Sequence, residues 1–193
     1  MKVFGTVKRT ADILLSALLL FFLAPLLGAI ALAVGCTSPG GILFRQTRVG
    51  RNGKLFRMYK FRTMYKDAPK SCPTASLPHP ERWITPVGRF LRRRSLDELP
   101  QLWNVLRGDM SLVGPRPLIP KEETVHELRR RYGVDGLRPG ITGLAQVRGR
   151  DLIDDRTKAA LDARYLRRMS PRLDLTILRD TLRQATRGEG VRA

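Results

Sequence analysis

Residues 13–34 read ILLSALLLFFLAPLLGAIALAV, a nearly unbroken apolar run without a charged side chain. About 20 helical residues of this kind reach across a ~30 Å hydrocarbon core, so the run belongs in lipid. It exceeds the roughly 7–15 apolar residues of a secretory signal core, although Ala31-Leu32-Ala33 loosely offers a cleavage site. Near its middle Pro25 removes a backbone donor and its ring clashes with the preceding turn, which bends the helix. Two arrangements fit a bent apolar helix. One enters the bilayer, turns and returns; the other spans with a kink, which membranes tolerate because neighbours re-satisfy the freed groups. Lys2, Lys8 and Arg9 precede the run and Arg45, Arg48, Arg51 and Lys54 follow it, so both ends prefer the cytoplasmic side.

A chain of 193 residues then divides into a membrane-embedded segment, 1–38, and one domain of ordinary size, 39–193. Lys and Arg number 36 against 17 Asp and Glu, a net charge of +19 that favours phosphates, anionic headgroups or nucleic acid. Nucleic acid is the weakest of these, because the basic residues are scattered and the apolar run would have no role. Cys36 and Cys72 lack both metal spacing and a disulfide framework and read as reduced thiols. His79 and His126 have no ligand-spaced partner, which disfavours histidine metal chemistry. No Walker loop, Rossmann fingerprint or Gly-x-Ser-x-Gly elbow is present, so a bound nucleotide is held by other means.

The stretches ILFRQTRV and LFRMYKFRTM flank Gly50-Arg51-Asn52-Gly53-Lys54, where Asn-Gly predicts a basic β-hairpin. Residues 66–86, rich in Pro, Ser and Thr, read as an extended loop. Leu99, Leu102, Trp103 and Leu106 fall at helical spacing over 96–107, and Gly108 stops that helix. Further helices are expected at 121–132, at 155–168 and, from the Ser170-Pro171 cap, through about Ala185. The fold class is therefore α+β and mainly helical. Its basic amphipathic helices fit an anionic membrane surface, or simply the solvated face of a globular domain.

Chemistry concentrates at Arg92-Arg93-Arg94-Ser95-Leu96-Asp97-Glu98-Leu99-Pro100, adjacent carboxylates beside three guanidiniums at an expected helix start. Ser95 and Glu98 match a capping box, and on these residues alone capping is the favoured account; it leaves Asp97 unexplained. An ionised Asp is a competent nucleophile toward phosphorus when cations or Mg²⁺ screen it. Gly114-Pro115-Arg116-Pro117 and Leu137-Arg138-Pro139-Gly140 each hold an Arg beside rigid proline, which suits a pyrophosphate and equally an ordinary surface turn.

Taken together, Lys8-Arg9-Thr10-Ala11-Asp12-Ile13, FRQTRVGRNGKLFRMYKFRTM at 44–64, SLDELPQLWNVLRGDMSLVGPRP at 95–117 and RPGITGLAQVRGR at 138–150 resemble the bacterial sugar transferases, the monotopic polyprenol-phosphate phosphoglycosyl transferases, in their minimal catalytic form. The resemblance implies a re-entrant helix kinked at Pro25, interfacial helices and a catalytic domain on the cytoplasmic face of the bacterial inner membrane. It further implies transfer of a sugar 1-phosphate from a UDP-sugar to undecaprenyl phosphate with release of UMP, the first membrane step of exopolysaccharide, O-antigen or glycoprotein glycan assembly. Asp97 is then the nucleophile, bearing a covalent phosphosugar, and a ligand of Mg²⁺; Glu98 orients the metal or the acceptor. Arg92, Arg116 and Arg138 match positions suited to phosphate groups, as does Lys60 of YKFRTM. Inner-membrane lipids are the implied surroundings, nucleic acid is no partner, and homodimerisation stays open. The chain departs from the family pattern at Leu144, where Trp is usual, at Arg148-Gly149-Arg150-Asp151, and at Ala24-Pro25, where Ser-Pro is frequent. A rival reading is a non-enzymatic basic membrane protein in which Asp97 and Glu98 only cap a helix.

Overall fold

The computed structural model describes residues 2–69, 79–149 and 153–187; Cys72, Arg150, Asp151 and residues 70–78 of the expected 66–86 loop lie outside them. The apolar run forms two helices, α1 (Lys2–Phe22) and α2 (Ala24–Thr37), broken at Leu23 and bent by 64°. Pro25 occupies the first turn of α2, where its missing N–H costs nothing, while its ring prevents α1 from continuing past the carbonyl four residues earlier. Among the described residues no single helix is long and apolar enough to cross a membrane; by length and composition the bent pair passes together.

Both limbs of the bend are tied to the rest of the chain. On α1, Lys8 Nζ lies 2.7 Å from Asp174 Oδ2, and Arg9 donates to the carbonyls of Val105 at 2.7 Å and Leu106 at 3.0 Å. One turn on, buried Asp12 accepts from the Ser111 hydroxyl at 2.7 Å and from the Leu112 amide at 3.2 Å. On α2, Ile30 and Val34 pack with Phe61 and Leu91. Between these attachments Leu14, Leu18, Phe21 and Phe22 project outward, and Phe21 is 76% exposed.

After the bend, β1 (Leu43–Val49) and β2 (Leu55–Phe61) pair antiparallel with Gln46 opposite Met58, forming the expected hairpin. Asn52 and Gly53 supply the two left-handed residues of its turn, at φ 54° and 76°. Strand alternation puts Phe44, Gln46, Arg48, Phe56, Met58 and Lys60 on the inward face. The helices α3 (Pro86–Arg93), α4 (Gln101–Arg107), α5 (Glu123–Arg131), α6 (Leu144–Arg148), α7 (Asp155–Arg168) and α8 (Pro171–Arg187) make up most of the remainder. A second sheet joins β3 (Ser111–Val113) and β4 (Gly140–Thr142) in parallel. The core gathers Met58, Leu102, Val105, Met110, Val113, Tyr165 and Ile177 from both sheets and from α4, α7 and α8.

The chain is mainly helical with small sheets, as expected, and α5, α7 and α8 fall close to their expected spans. The predicted 96–107 helix is instead a 3₁₀ turn at Leu96–Glu98 followed by α4, because Pro100 has no N–H to extend the first turn into a continuous helix. The short elements α3, β3, β4 and α6 were not expected. Three-residue strands carry too little alternation to be read, and β3 and β4 meet because Gly114, Gly140 and Gly143 let backbone approach backbone: a Cβ on Gly140 would strike the Gly114 amide, and one on Gly143 the Gly114 carbonyl.

Removing the Asp12 carboxylate leaves the buried Leu112 amide without its acceptor and the Ser111 hydroxyl with only the Val113 carbonyl at 3.0 Å. Asp12→Ala is expected to destabilise the protein by on the order of 2 kcal/mol, read as a lowered unfolding midpoint in nanodiscs; an unchanged midpoint would mean that this attachment of α1 contributes nothing.

Candidate functional site

The 3₁₀ turn Leu96–Glu98 carries the two adjacent carboxylates, and the capping box does not form. Ser95 adopts a left-handed conformation, φ 56°, and its side chain caps no backbone amide. Its own amide donates to the Arg92 carbonyl at 3.0 Å, so Glu98 has no donor to reach back for. Glu98 turns instead to the hairpin, where Lys60 Nζ donates to its Oε1 at 2.5 Å and Arg116 Nη1 stands 3.7 Å away.

This juxtaposition is built by backbone. Asn104 of α4 behaves like a missing strand partner for β2: its Oδ1 accepts from the Tyr59 amide at 3.1 Å and its Nδ2 donates to the Arg57 carbonyl at 2.7 Å. That registers α4, and the turn before it, against Lys60. On the other side, Gly88 of α3 lies so close to Thr63 that a Cβ would collide with the Thr63 carbonyl, and Arg92 Nε donates to Thr63 Oγ1 at 2.8 Å. Arg116 is held through its main chain. Arg129 Nη1 donates to the Arg116 carbonyl at 2.9 Å, while its Nε and Nη2 both reach Asp162 Oδ2 at 2.9 and 2.6 Å. Burial raises the Asp162 carboxyl above its ordinary range and Arg129 opposes that shift.

Asp97 is buried, 8% exposed, and burial is the largest influence on it, pushing the carboxyl above its usual range. Lys60 pulls it down, Glu98 raises it, and Arg92 and Arg116 pull it down again. Lys60, Arg92 and Arg116 thus converge electrostatically on Asp97 and Glu98. Arg138 does not join them: its Nε donates to the Gly108 carbonyl at 2.9 Å, closing the C-terminal end of α4 beside Arg9. Partial burial, then Arg9 and Arg51, lower its pKa.

Next to the carboxylates opens a small cleft lined by Arg48, Met58, Lys60, Glu98, Gln101, Arg116, Pro117 and Ile141. Asp97 does not line it and lies buried alongside. Sequence reading did not single out Arg48 or Gln101 for the site; strand alternation places Arg48 on the same hairpin face as Lys60 and was the available signal. Arg129 and Asp162, 33 positions apart, had none. Among the described residues no three His, Cys, Asp or Glu side chains cluster as a metal cage. The carboxylates that could hold Mg²⁺ are Asp97 and Glu98, since that ion takes one or two protein carboxylates and completes its shell with substrate phosphates and water.

A family model described as bacterial sugar transferase matches residues 3–188. An undecaprenyl-phosphate glucose phosphotransferase of Komagataeibacter xylinus is 42% identical over 187 residues, covering 92% of this chain and 35% of that protein. A UDP-glucose:undecaprenyl-phosphate glucose-1-phosphate transferase of Caulobacter vibrioides is 49% identical over 149 residues, covering 74% of this chain and 54% of that protein. The exopolysaccharide production protein PSS of Rhizobium leguminosarum bv. phaseoli is 42% identical over 197 residues, covering 95% of this chain and 97% of its own length. The chain therefore spans about a third to a half of the length of the first two proteins and nearly all of the third.

The raised Asp97 pKa has a stability signature. A carboxyl raised in the folded state favours folding while protonated, and that contribution is lost as pH climbs through the raised value, so the ionised group weakens the fold at neutral pH. Asp97→Asn should match the parent midpoint near about pH 4 and exceed it at neutral pH, followed by thermal unfolding across pH. A variant less stable than the parent at neutral pH would reverse the sign of this argument.

Proposed function

Because the chain belongs to the bacterial sugar transferase family, we propose that it transfers a sugar 1-phosphate from a UDP-sugar to a polyprenol phosphate such as undecaprenyl phosphate, through a covalent phosphosugar on Asp97. The observation that carries this reading is the carboxylate pair Asp97 and Glu98, ringed by Lys60, Arg92 and Arg116 beside an open cleft. A capping pair would not need three cations drawn from separate parts of the chain.

In the first half-reaction Asp97 turns from its buried position toward the cleft and a carboxylate oxygen attacks the phosphorus that bears the sugar. A bond forms from Asp97 to phosphorus, the phosphoanhydride bond breaks, and UMP leaves with the electron pair. In the second, an oxygen of polyprenol phosphate attacks the same phosphorus, and Asp97 departs as a carboxylate. The buried setting that makes the Asp97 charge costly also makes the group more basic, and hence a better nucleophile once ionised. Arg116 and Arg92 neutralise the diphosphate as it approaches, which is the main catalytic demand of phosphoryl-type transfer. Lys60 holds Glu98 by its 2.5 Å contact, keeping the second carboxylate beside the first. Asp97 and Glu98 would hold Mg²⁺, which when bound offsets negative charge on the diphosphate.

The two attachments of the bent pair support a re-entrant arrangement. Asp12 is bonded to β3, and Ile30 packs against β2 and α3, so the chain between them leaves and returns to one body. That favours re-entry over a kinked span. Basic flanks at both ends favour the cytoplasmic face of the inner membrane, where UDP-sugars are made. The name of the Rhizobium relative supports exopolysaccharide assembly as the pathway.

The test is UMP release from the full chain in nanodiscs with Mg²⁺, polyprenol phosphate and a panel of UDP-sugars. One or a few donors should release UMP, with a phosphosugar adduct on Asp97 by mass spectrometry, and Asp97→Asn should lower turnover by on the order of 10³-fold or more. No UMP from any donor, with the protein folded, would overturn the reading.

A further inference from the structure

The cleft contains a cation that the mechanism above leaves unused. Arg48 projects from the inward face of β1, on the opposite side of Met58 from Lys60, and lines the cleft with Arg116. Its Nη1 donates to the Pro117 carbonyl at 3.1 Å and its Nη2 to Gln46 Oε1 at 2.6 Å. The nearest carboxylate, Glu122, is 3.9 Å from Nη1, beyond hydrogen-bond reach. Its Nε is buried without a partner. A guanidinium carries five N–H donors in a rigid fork, and only two of these five are engaged. Burial, followed by repulsion from Arg116, lowers its pKa to about 10. Two guanidiniums that face one small cleft and repel each other are a poor arrangement for stability alone and a good one for a dianion placed between them.

We propose that Arg48 is a further substrate-binding residue, which with Arg116 grips the diphosphate of the nucleotide donor on the side away from Asp97, where the leaving nucleoside monophosphate sits. This rests on the transferase reading above and adds the residue that holds the departing group. The departing phosphate lies opposite Asp97, and the acceptor's phosphate attacks from that same side in the second half-reaction, so the grip of Arg48 is felt by the donor, by the released nucleoside monophosphate and by the acceptor's phosphate.

The experiment uses the full chain in nanodiscs and compares the parent with Arg48→Lys and Arg48→Gln. Measurements are the KM for the UDP-sugar, the KM for polyprenol phosphate, inhibition by UMP, and the unfolding midpoint. Arg48→Lys keeps the charge and loses the fork; it is expected to raise the donor KM and the UMP inhibition constant by roughly tenfold, to raise the acceptor KM in the same direction, and to leave the unfolding midpoint unchanged. Arg48→Gln should raise the donor KM further. A donor KM and a UMP inhibition constant both unchanged in Arg48→Lys, or a loss matched by a lowered unfolding midpoint, would overturn the proposal and leave the transferase reading standing on the parent's UMP release. Should Arg48→Gln fail to fold, Arg48→Lys decides alone. A parent that releases no UMP from any donor overturns both.

Discussion

A carboxylate withdrawn from water has to be matched by positive charge, and Asp97 with Glu98 imposes that demand twice at adjacent positions. The matching cations come from places far apart in sequence: Lys60 from the hairpin, Arg92 from α3, Arg116 from the segment after β3. Bringing them together is what the surrounding fold accomplishes. Asn104 docks α4 on the hairpin edge, Gly88 lets α3 touch Thr63, and Arg129 with Asp162 clamps the backbone of Arg116. Each of these is a polar or steric device with a single geometry, so the site is held by specific bonds where a larger protein would use a broader apolar core.

How much of this could be read from sequence depended on the length scale of the signal. The hairpin was legible because Asn52-Gly53 and two alternating runs act locally, and α7 and α8 because their apolar spacing and caps are local too. The carboxylate pair was visible, but its local context, Ser95 three residues before Glu98, pointed to a cap. What decided otherwise was Lys60, 38 positions earlier, which gives Glu98 a charged partner that no backbone amide can rival. The parallel pairing of β3 with β4 was illegible for the same reason: it depends on three glycines meeting in space, and nothing near any of them announces the others. Arg138 illustrates the converse. Its Arg-Pro-Gly context resembles that of Arg116, yet one guanidinium lines the cleft and the other closes a helix end.

The bent helix pair is governed by where its ends are attached. A spanning helix needs its two ends on opposite sides of about 30 Å of hydrocarbon, whereas these limbs are bonded to adjoining parts of one body. Pro25 supplies the break, and Lys8, Arg9 and Asp12 supply the commitment, since a charged network anchored to Ser111, Asp174 and the end of α4 cannot be drawn into lipid without leaving buried charges unpaired. The same contacts connect α1 to β3, which leads directly into Arg116. The placement of the bent pair and the position of the cleft are therefore set by one set of bonds.

The arginine surplus carries the last step. From composition, +19 reads as a field for phosphates and headgroups, but many of these guanidiniums are engaged with main-chain oxygens. Arg9 and Arg138 take carbonyls at the end of α4, Arg62 takes those of Ser38 and Pro39 just beyond α2, Arg94 that of Thr186 in α8, and Arg129 and Arg48 those of Arg116 and Pro117. A carbonyl accepts a hydrogen bond without neutralising the donor, so these staples keep their charge, Arg129 excepted because it is also paired with Asp162. Structural and electrostatic uses of arginine are therefore not alternatives in this chain. A carboxylate in the place of each carbonyl would have held the backbone as well and cancelled the field; using the main chain as acceptor holds the irregular segments together and leaves the positive charge available to an anionic substrate.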